Sequence, residues 1–135
     1  MPSRIIYSSH CLCSVDEAKQ LCVDARSANA ASQVTGGLYL ADQTFFQYLE
    51  GDELRLSALY RRVQKDARHT NCRLLDSRLI TLRIFKSWSM TWLPCTTDTH
   101  HLLQAIVPRG SNPATMDGGT AGTLFMALSQ SAQHA

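Results

Sequence analysis

The sequence lacks the features of a membrane-spanning protein and of a strongly basic nucleic-acid-binding protein. No stretch approaches the roughly 18 consecutive apolar residues that a bilayer crossing needs. The 13 lysines and arginines exceed the 11 aspartates and glutamates only slightly, for a formal net charge of +2. That charge predicts neither a nucleic acid nor a membrane surface as a direct partner. Residues 1–6 contain no apolar run typical of a secretory signal, so we expect a cytoplasmic protein.

The cysteines predict neither a disulfide framework nor a metal site. Their number is odd and their spacing follows no disulfide pattern, which favours reduced thiols. Residues 10–13, His-Cys-Leu-Cys, crowd possible ligands together, but no second pair follows to complete a tetrahedral site. We therefore predict no bound metal. The five cysteines are Cys11, Cys13, Cys22, Cys72 and Cys95.

What is present is the composition of one globular unit. The 135 residues are 44% hydrophobic and 18% charged, a balance that supports a packed core and argues against disorder. A chain of this size buries roughly two-thirds of its unfolded surface without help from disulfides or metals. Because the composition changes toward loop residues from Pro94 onward, we divide the chain into a domain at 1–93 and a C-terminal extension at 94–135.

Periodicity predicts the first five elements. Residues 4–9 are β-branched and aromatic and predict a strand. A Ser-x-x-Glu capping box at 14–17 precedes an amphipathic helix that we expect to end near Asn29. Residues 34–40 and 44–50 flank a polar three-residue connection and predict a hairpin. Asp52 then follows as the N-cap of a second helix.

The remaining segments complete the order β-α-β-β-α-β-β. Residues 73–75, 79–84 and 87–93 supply two further strands with a bend between them. Two helices cannot cover both faces of this sheet, so we predict an α+β, ferredoxin-like fold, with a mixed five-stranded sheet and both helices on one face. The extension predicts one or two short helices, at 99–107 and 123–131. We expect it to dock against the other face, where apolar residues need cover.

A buried amide is the first candidate for chemistry. Alternation along residues 45–50 places Gln47 among core residues, where an unpaired amide costs on the order of 1–3 kcal/mol. Tyr7, on the strand that this fold places alongside, is the natural partner. At this level the two side chains could simply satisfy each other in the core. Asn29 could likewise be no more than a helix C-cap.

Two further groups have equally plain interpretations. Trp88 and Met90, two residues apart, would share one face of a predicted strand, which is typical of core packing. A mixed-charge cluster lies at the end of the second helix. Such a cluster is typical of a solvated surface, although it could also hold a phosphate. The cluster consists of Arg62, Lys65, Asp66, Arg68 and His69.

Taken together and in order, these segments resemble the BLUF family of flavin-based blue-light sensors. The resemblance covers residues 3 to about 93, and its most specific parts are F-x-Q-x-L-E-G and W-S-M. It rests on R-I-I-Y-S-S at 4–9, Asn29 before V-T-G-G-L at 34–38, F-F-Q-Y-L-E-G at 45–51, Y-R-R-V at 60–63, D-A-R-H at 66–69 and F-K-S-W-S-M at 85–90.

The resemblance implies a noncovalent flavin, usually FAD with FMN as an alternative, held between the two helices and facing the sheet. Tyr7 would donate an electron and a proton to the excited flavin. Gln47 would bridge Tyr7 and the N5/O4 edge, and Asn29 would bind the C4 carbonyl and the neighbouring N–H. Arg62 and Asp66 would support cofactor binding on the phosphate side. Arg68 and His69 match a motif of the same family. The implied cofactor-binding set is Tyr7, Asn29, Gln47, Arg62, Asp66, Arg68 and His69.

The resemblance also implies a light switch in a bacterial protein, with no catalytic residues. Rearrangement of the Gln47 amide would produce a reversible red-shifted state. Trp88 and Met90 would lie on the last strand near Gln47 and pass its change outward, with two placements open: one residue near the flavin and the other turned out. The expected output is a partner of transcription-regulator or response-regulator type, or a homo-oligomer.

Three other functions fit parts of the sequence. A small flavin oxidoreductase would need access for a second substrate, but no Gly-rich dinucleotide loop or strong acid/base pair is present. An RNA-recognition domain shares the element order and could stack bases on Phe46 and Tyr48, but the mild charge argues against it. The last is a flavin-free interaction module on the same fold.

Overall fold

A five-stranded mixed sheet forms the centre of the computed structural model, which describes residues 2–133. The outer strand β4 pairs antiparallel with β1, β1 with β3, and β3 with β2, while β5 pairs parallel with β2. This arrangement confirms the predicted α+β, ferredoxin-like fold. The strands are β1 (Ser3–Cys11), β2 (Thr35–Ala41), β3 (Thr44–Gly51), β4 (His69–Leu79) and β5 (Thr91–Leu93).

Two helices cover one face of the sheet, α1 (Val15–Ala31) and α2 (Glu53–Val63). The capping box before α1 is present: the Glu17 backbone N–H donates to Ser14 Oγ at 3.1 Å, and the Ser14 N–H donates to Glu17 Oε1 at 3.2 Å. Asp52 caps α2, as the sequence predicts.

The end of α1 differs from the prediction. The helix continues to Ala31 and its C-cap is Ser32, so the interpretation of Asn29 as a C-cap is wrong. Asn29 lies in the last turn, 1% exposed, with its side chain directed away from the helix end toward Ser89. A long-range contact, rather than the helix terminus, therefore determines its position.

The predicted hairpin is present with a tighter connection. Ala41 belongs to β2, and only Asp42 and Gln43 link it to β3. Both have positive φ, at 50° and 63°, the backbone that a two-residue type I′ turn requires.

The chain between β4 and β5 is the main departure from the prediction. Residues 79–84 were expected as a strand, but β4 ends at Leu79 and residues 80–90 (the 80–90 segment) contain no strand. Their backbone groups are bound elsewhere: Glu50 accepts the N–H groups of Ile84 and Phe85, and the Trp88 carbonyl accepts the Gly36 N–H. Trp88 and Met90 consequently precede the last strand instead of lying in it.

The C-terminal residues cover the opposite face of the sheet. They form α3 (Thr97–Ile106), a 3-10 turn at Pro113–Thr115 and α4 (Gly118–Gln133). The ring of Phe125 in α4 lies 5.5 Å from that of Tyr48 in β3, within a second core cluster that also includes Phe46. The apolar face that the two N-terminal helices leave open is therefore filled by the chain itself. Within residues 2–133, no helix combines the length and the hydrophobicity that a bilayer crossing demands.

A buried ion pair lies where α4 crosses β1 and β4. Arg4 Nε is 2.6 Å from Asp76 Oδ2, and Arg78 Nη2 is 2.6 Å from Asp76 Oδ1. Gly118 and Gly122 of α4 lie directly against Asp76 and Arg4, where a β-carbon would collide with these side chains. The small residues allow close approach of the helix to the charged pair.

Candidate functional site

The candidate site is a cavity of about 190 Å³ between α1, α2 and the sheet. Apolar residues of the sheet form its floor, among them Leu38, Phe45 and Leu49, and both helices form its walls. All seven predicted cofactor-binding residues line it: Tyr7, Asn29, Gln47, Arg62, Asp66, Arg68 and His69. Residues that lie up to 62 positions apart in the sequence thus meet around one space.

Tyr7 and Gln47 are neighbours across the floor of this cavity. Their Cα atoms are register partners in the antiparallel β1–β3 pair, so both side chains point to the same face of the sheet. Each is 2% exposed. Tyr60 of α2 lies above Tyr7, with a distance of 5.2 Å between the ring centroids.

Several polar atoms of the cavity wall have no protein partner among residues 2–133. Gln47 Nε2 donates to Met90 Sδ at 3.6 Å, but its Oε1 receives no hydrogen bond from the described residues. The same holds for the Tyr7 hydroxyl and for Asn29 Oδ1. None of these atoms is sealed inside the protein, since no side-chain N or O atom of the described chain is both buried and unpaired. They therefore face the cavity, and Tyr7 and Gln47 do not satisfy each other.

Burial favours the neutral form of Tyr7 more strongly than for an exposed tyrosine. Removal from water raises its pKa well above the ordinary tyrosine value, and Cys72, Tyr60 and Asp66 nearby raise it further. The phenol is neutral at physiological pH and can donate a hydrogen bond into the cavity.

Asn29 and Arg26 connect α1 to the 80–90 segment. Asn29 Nδ2 donates to the Ser89 carbonyl at 2.6 Å, and Arg26 Nε donates to the Met90 carbonyl at 3.0 Å. The two residues lie three positions apart, on one face of the helix. This pairing holds the 80–90 segment against the cavity.

The two residues proposed for signal relay lie on different sides. Met90 is 3% exposed and belongs to the cluster beneath the cavity, in contact with Gln47. Trp88 packs against Phe85, with 6.1 Å between ring centroids, in the cluster that α4 covers. Of the two placements left open by the sequence, this structure has Met90 inward and Trp88 outward.

Charged residues surround the mouth of the cavity. Arg68 bridges two carboxylates, with Nη2 2.7 Å from Asp66 Oδ2 and Nη1 3.1 Å from Asp24 Oδ2. Hydrogen bonding to Arg68 lowers the pKa of Asp66. The pKa of Asp24 is lowered most by its hydrogen bond to Gln20 and next by its hydrogen bond to Arg68. Arg62 is exposed, lines the cavity and forms no ion pair with any residue from 2 to 133.

His69 lies in the wall, but both of its nitrogens are bound by the protein. Nε2 lies 2.6 Å from the Val63 carbonyl, which can only accept, so Nε2 carries the hydrogen. Nδ1 then accepts from Ser9 Oγ at 2.7 Å. The imidazole presents its ring to the cavity, and its nitrogens hold β1 and the end of α2 together.

Sequence reasoning missed three residues that flank or support this site: Arg26 and Tyr60 beside the cavity, and Glu50 on the opposite face of the sheet. Signals for two of them exist in the sequence. Arg26 precedes Asn29 by three positions, the spacing of one helix face. Glu50 shares its strand face with Phe46 and Tyr48, so alternation places a carboxylate among apolar side chains. The position of Tyr60 above Tyr7 depends on the packing of α2 and has no local signal.

Comparison with known proteins places this geometry in a family. The family model described as "BLUF: Sensors of blue-light using FAD" matches residues 3–91. Comparison with curated protein sequences gave no match.

Solved structures of light-responsive proteins are similar to this chain. BlsA in its photo-activated state is 26% identical, with a TM-score of 0.85 over 96% of this chain and 95% of BlsA. A bacterial light-regulated adenylyl cyclase is 29% identical, with a TM-score of 0.70 over 78% of this chain and 34% of the cyclase. Klebsiella pneumoniae BlrP1 with FMN and cyclic diGMP is 30% identical, with a TM-score of 0.64 over 69% of this chain and 26% of BlrP1.

Proposed function

The chain belongs to the BLUF family of flavin-binding blue-light sensors, and from this premise we propose that Tyr7 and Gln47 form a reversible hydrogen-bond switch within it. The single observation that carries the proposal is the set of unpaired polar atoms around the cavity. The Tyr7 hydroxyl, Gln47 Oε1 and Asn29 Oδ1 all face this space and have no hydrogen-bond partner among the residues that the structure describes. A ligand that fills the cavity would remove these atoms from water, and polar groups that become buried require hydrogen bonds, so they suit a ligand with a polar edge.

The residues of the cavity fit a flavin. Its apolar floor suits a flat aromatic ring, and the amides of Asn29 and Gln47 offer the donors and acceptors that the polar edge of the ring needs. Arg62, exposed at the mouth beside Asp66 and Arg68, is suited to a phosphate. We propose FAD as the cofactor. FMN, present in the BlrP1 structure, would meet the same ring-facing residues.

Tyr7 is proposed as the donor. A bound flavin would absorb blue light and could then accept an electron and a proton from a nearby group. A phenol can release both together, which avoids leaving a charge in a buried site. The Tyr7 phenol starts with its proton, which its raised pKa holds more tightly than an exposed phenol does.

Gln47 is proposed as the group that stores the change. Its planar amide carries two N–H donors and one carbonyl acceptor, so rotation or tautomerisation exchanges donor and acceptor without creating a buried charge. A glutamate at this position would be charged at neutral pH unless its pKa were strongly raised. The altered amide would offer different hydrogen bonds to the flavin edge, which would shift the absorption to the red.

Met90 is proposed to carry the change outward. It touches Gln47 directly, and it belongs to the same 80–90 segment as Trp88, which packs in the cluster under α4. The effector is proposed to be of transcription-regulator or response-regulator type, or a second copy of the chain. We propose no enzymatic activity for residues 2–133, since the cavity residues serve binding and switching.

The absorption spectrum of the purified full chain tests this function. We expect flavin bands that move slightly to the red after a blue-light pulse, without bleaching, and that return in darkness. Bands that bleach, with steady consumption of NADH or NADPH, would support a flavin oxidoreductase instead. A protein that stays colourless after addition of FAD or FMN would contradict the photoreceptor and leave an interaction module.

A further inference from the structure

Two side chains of β3 hold the 80–90 segment from opposite faces of the sheet. Gln47 faces the cavity and contacts Met90 through its amide nitrogen and the Met90 sulfur, 3.6 Å apart. Glu50, three residues later, points to the other face and is 0% exposed. It accepts the backbone N–H groups of Ile84 at 2.9 Å and Phe85 at 2.7 Å. The Glu50 contacts lie at the middle of the segment, and the Gln47 contact lies at its C-terminal end.

Both oxygens of the Glu50 carboxylate accept hydrogen bonds. Oε1 accepts from Ile84, while Oε2 accepts from Phe85 and from Thr35 Oγ1 at 2.8 Å. Thr35 Oγ1 in turn accepts from Arg83 Nη1 at 3.2 Å. A buried carboxylate is costly unless hydrogen bonds compensate for lost water, and this one is compensated almost entirely by donors around the 80–90 segment.

The C-terminal end of the segment, residues 88–90, is bound to groups beside the cavity. Asn29 holds the Ser89 carbonyl, Arg26 holds the Met90 carbonyl, and Gly36 donates to the Trp88 carbonyl. Met90 adds its side-chain contact to Gln47. A change in the Gln47 amide acts on residues 88–90 directly. Ile84 and Phe85, which Glu50 binds, do not line the cavity.

We infer that Glu50 is a positioning residue. It attaches the middle of the 80–90 segment to the sheet, so that a change at Gln47 displaces Met90 and Trp88 relative to the sheet. This inference rests on the proposed switching of Gln47. The attachment itself depends only on residues of this chain and holds in darkness. Without it, a change at Gln47 would be absorbed by loose movement of residues 80–90 and would not reach α4.

Glu50→Gln removes the attachment with little change in volume. The amide keeps one oxygen, which can accept at most two of the three donors, and turns its own N–H₂ group toward a donor. At least one of the bonds to Ile84, Phe85 or Thr35 is therefore lost. Glu53→Gln, an exposed position in the first turn of α2, makes the same chemical change three residues away and is the matched control.

The experiment is hydrogen exchange of the flavin-loaded full chain, in darkness and after blue light. In darkness we expect the Ile84 and Phe85 amides of Glu50→Gln to exchange roughly tenfold faster or more than in wild type, with Glu53→Gln unchanged. After illumination we expect the light–dark difference at residues 86–90 to be lost in Glu50→Gln, while the red shift of the flavin remains.

Several results would overturn the inference. One is wild-type exchange at Ile84 and Phe85 in a folded Glu50→Gln protein. Another is a wild-type light–dark difference at residues 86–90 despite faster dark exchange, which would make Glu50 purely structural. If Glu50→Gln does not fold, dark exchange of the wild type decides: Ile84 and Phe85 amides that exchange as fast as unbonded backbone amides would contradict the attachment.

Failure of the proposed function gives a different result. If wild type itself shows no red shift, the switch at Gln47 is wrong, whereas the dark exchange rates still test the hold of Glu50 on the segment. If wild type and Glu50→Gln both show the flavin red shift and the same light–dark difference at residues 86–90, only the positioning role of Glu50 is rejected.

Discussion

Tyr7 and Gln47 are register partners on adjacent antiparallel strands, and both enter one cavity without bonding to each other. The pairing puts a phenol beside an amide at the spacing of neighbouring strands, about 5 Å. Each has a free polar atom toward the same space. A ligand between the two helices would therefore complete the hydrogen bonds of both side chains at once.

Gln47→Leu should retain flavin and lose the red shift. Leucine fills a similar volume, and exchanging a weakly bonded amide for an apolar group of like shape should change stability by no more than about 1 kcal/mol. Without donor or acceptor, the side chain has no alternative arrangement to adopt. Absorption spectra before and after a blue pulse measure this. Gln104→Leu, exposed on α3, should behave as wild type, and a normal shift in Gln47→Leu would remove Gln47 from the mechanism.

Tyr7→Phe should bind flavin and fail to form the red-shifted state. Only the hydroxyl is removed, so the ring still packs beneath Tyr60, but the proposed donor of the electron and proton is gone. Tyr60→Phe is the matched control, because its ring centroid lies 5.2 Å from that of Tyr7. Transient and steady-state absorption compare the three proteins. A normal photocycle in Tyr7→Phe together with a lost one in Tyr60→Phe would transfer the donor role to Tyr60.

Met90→Leu and Trp88→Phe should have different effects. Met90 contacts Gln47, so we expect the volume-conserving change to leucine to alter the dark recovery rate of the red-shifted state, with a stability cost below about 1.5 kcal/mol. Trp88 packs on the far side of the sheet against Phe85, so Trp88→Phe should leave the spectrum and recovery near wild type. Recovery kinetics at the red edge of the flavin band measure both. The reverse pattern would place Trp88, and not Met90, beside the switch in solution.

Stability should fall in alkali partly because of Tyr7. Burial raises its pKa in the folded protein, so the folded state holds the proton more tightly than the unfolded chain does. The resulting stability is fully present below the ordinary tyrosine pKa of about 10 and is lost as pH rises beyond it toward the folded value. Urea unfolding between pH 7 and pH 11 should show this loss.

The comparison with Tyr7→Phe isolates that contribution. Burial also raises the pKa of Tyr39 and Tyr48, so the variant should still lose stability in alkali, but with a shallower slope above pH 10 than wild type. Overlapping slopes would mean that the Tyr7 phenol is accessible to water in solution.

Local rules were sufficient for most of the domain. Alternation along β3 separates Gln47 from Phe46 and Glu50, and alternation has a period of two whatever the rest of the chain does. The caps at Ser14 and Asp52 need only the residues that follow them. The β-α-β-β-α-β-β order then leaves few ways to bury one face of two helices, so the neighbourhood of Tyr7 and Gln47 followed from the sequence.

Only the tertiary structure decided the course of residues 80–90. Their composition suits strands, but the buried carboxylate of Glu50, 34 positions before Ile84, takes the N–H groups that a strand would use. That capture draws the chain out of the sheet and turns Met90 toward Gln47 and Trp88 toward α4. Asn29 likewise reaches Ser89, 60 positions away. The sequence by itself, through its family resemblance, indicated seven of the residues that line the cavity, while hydrogen bonds between distant segments decided which way the relay residues face, because local periodicity carries no information about such bonds.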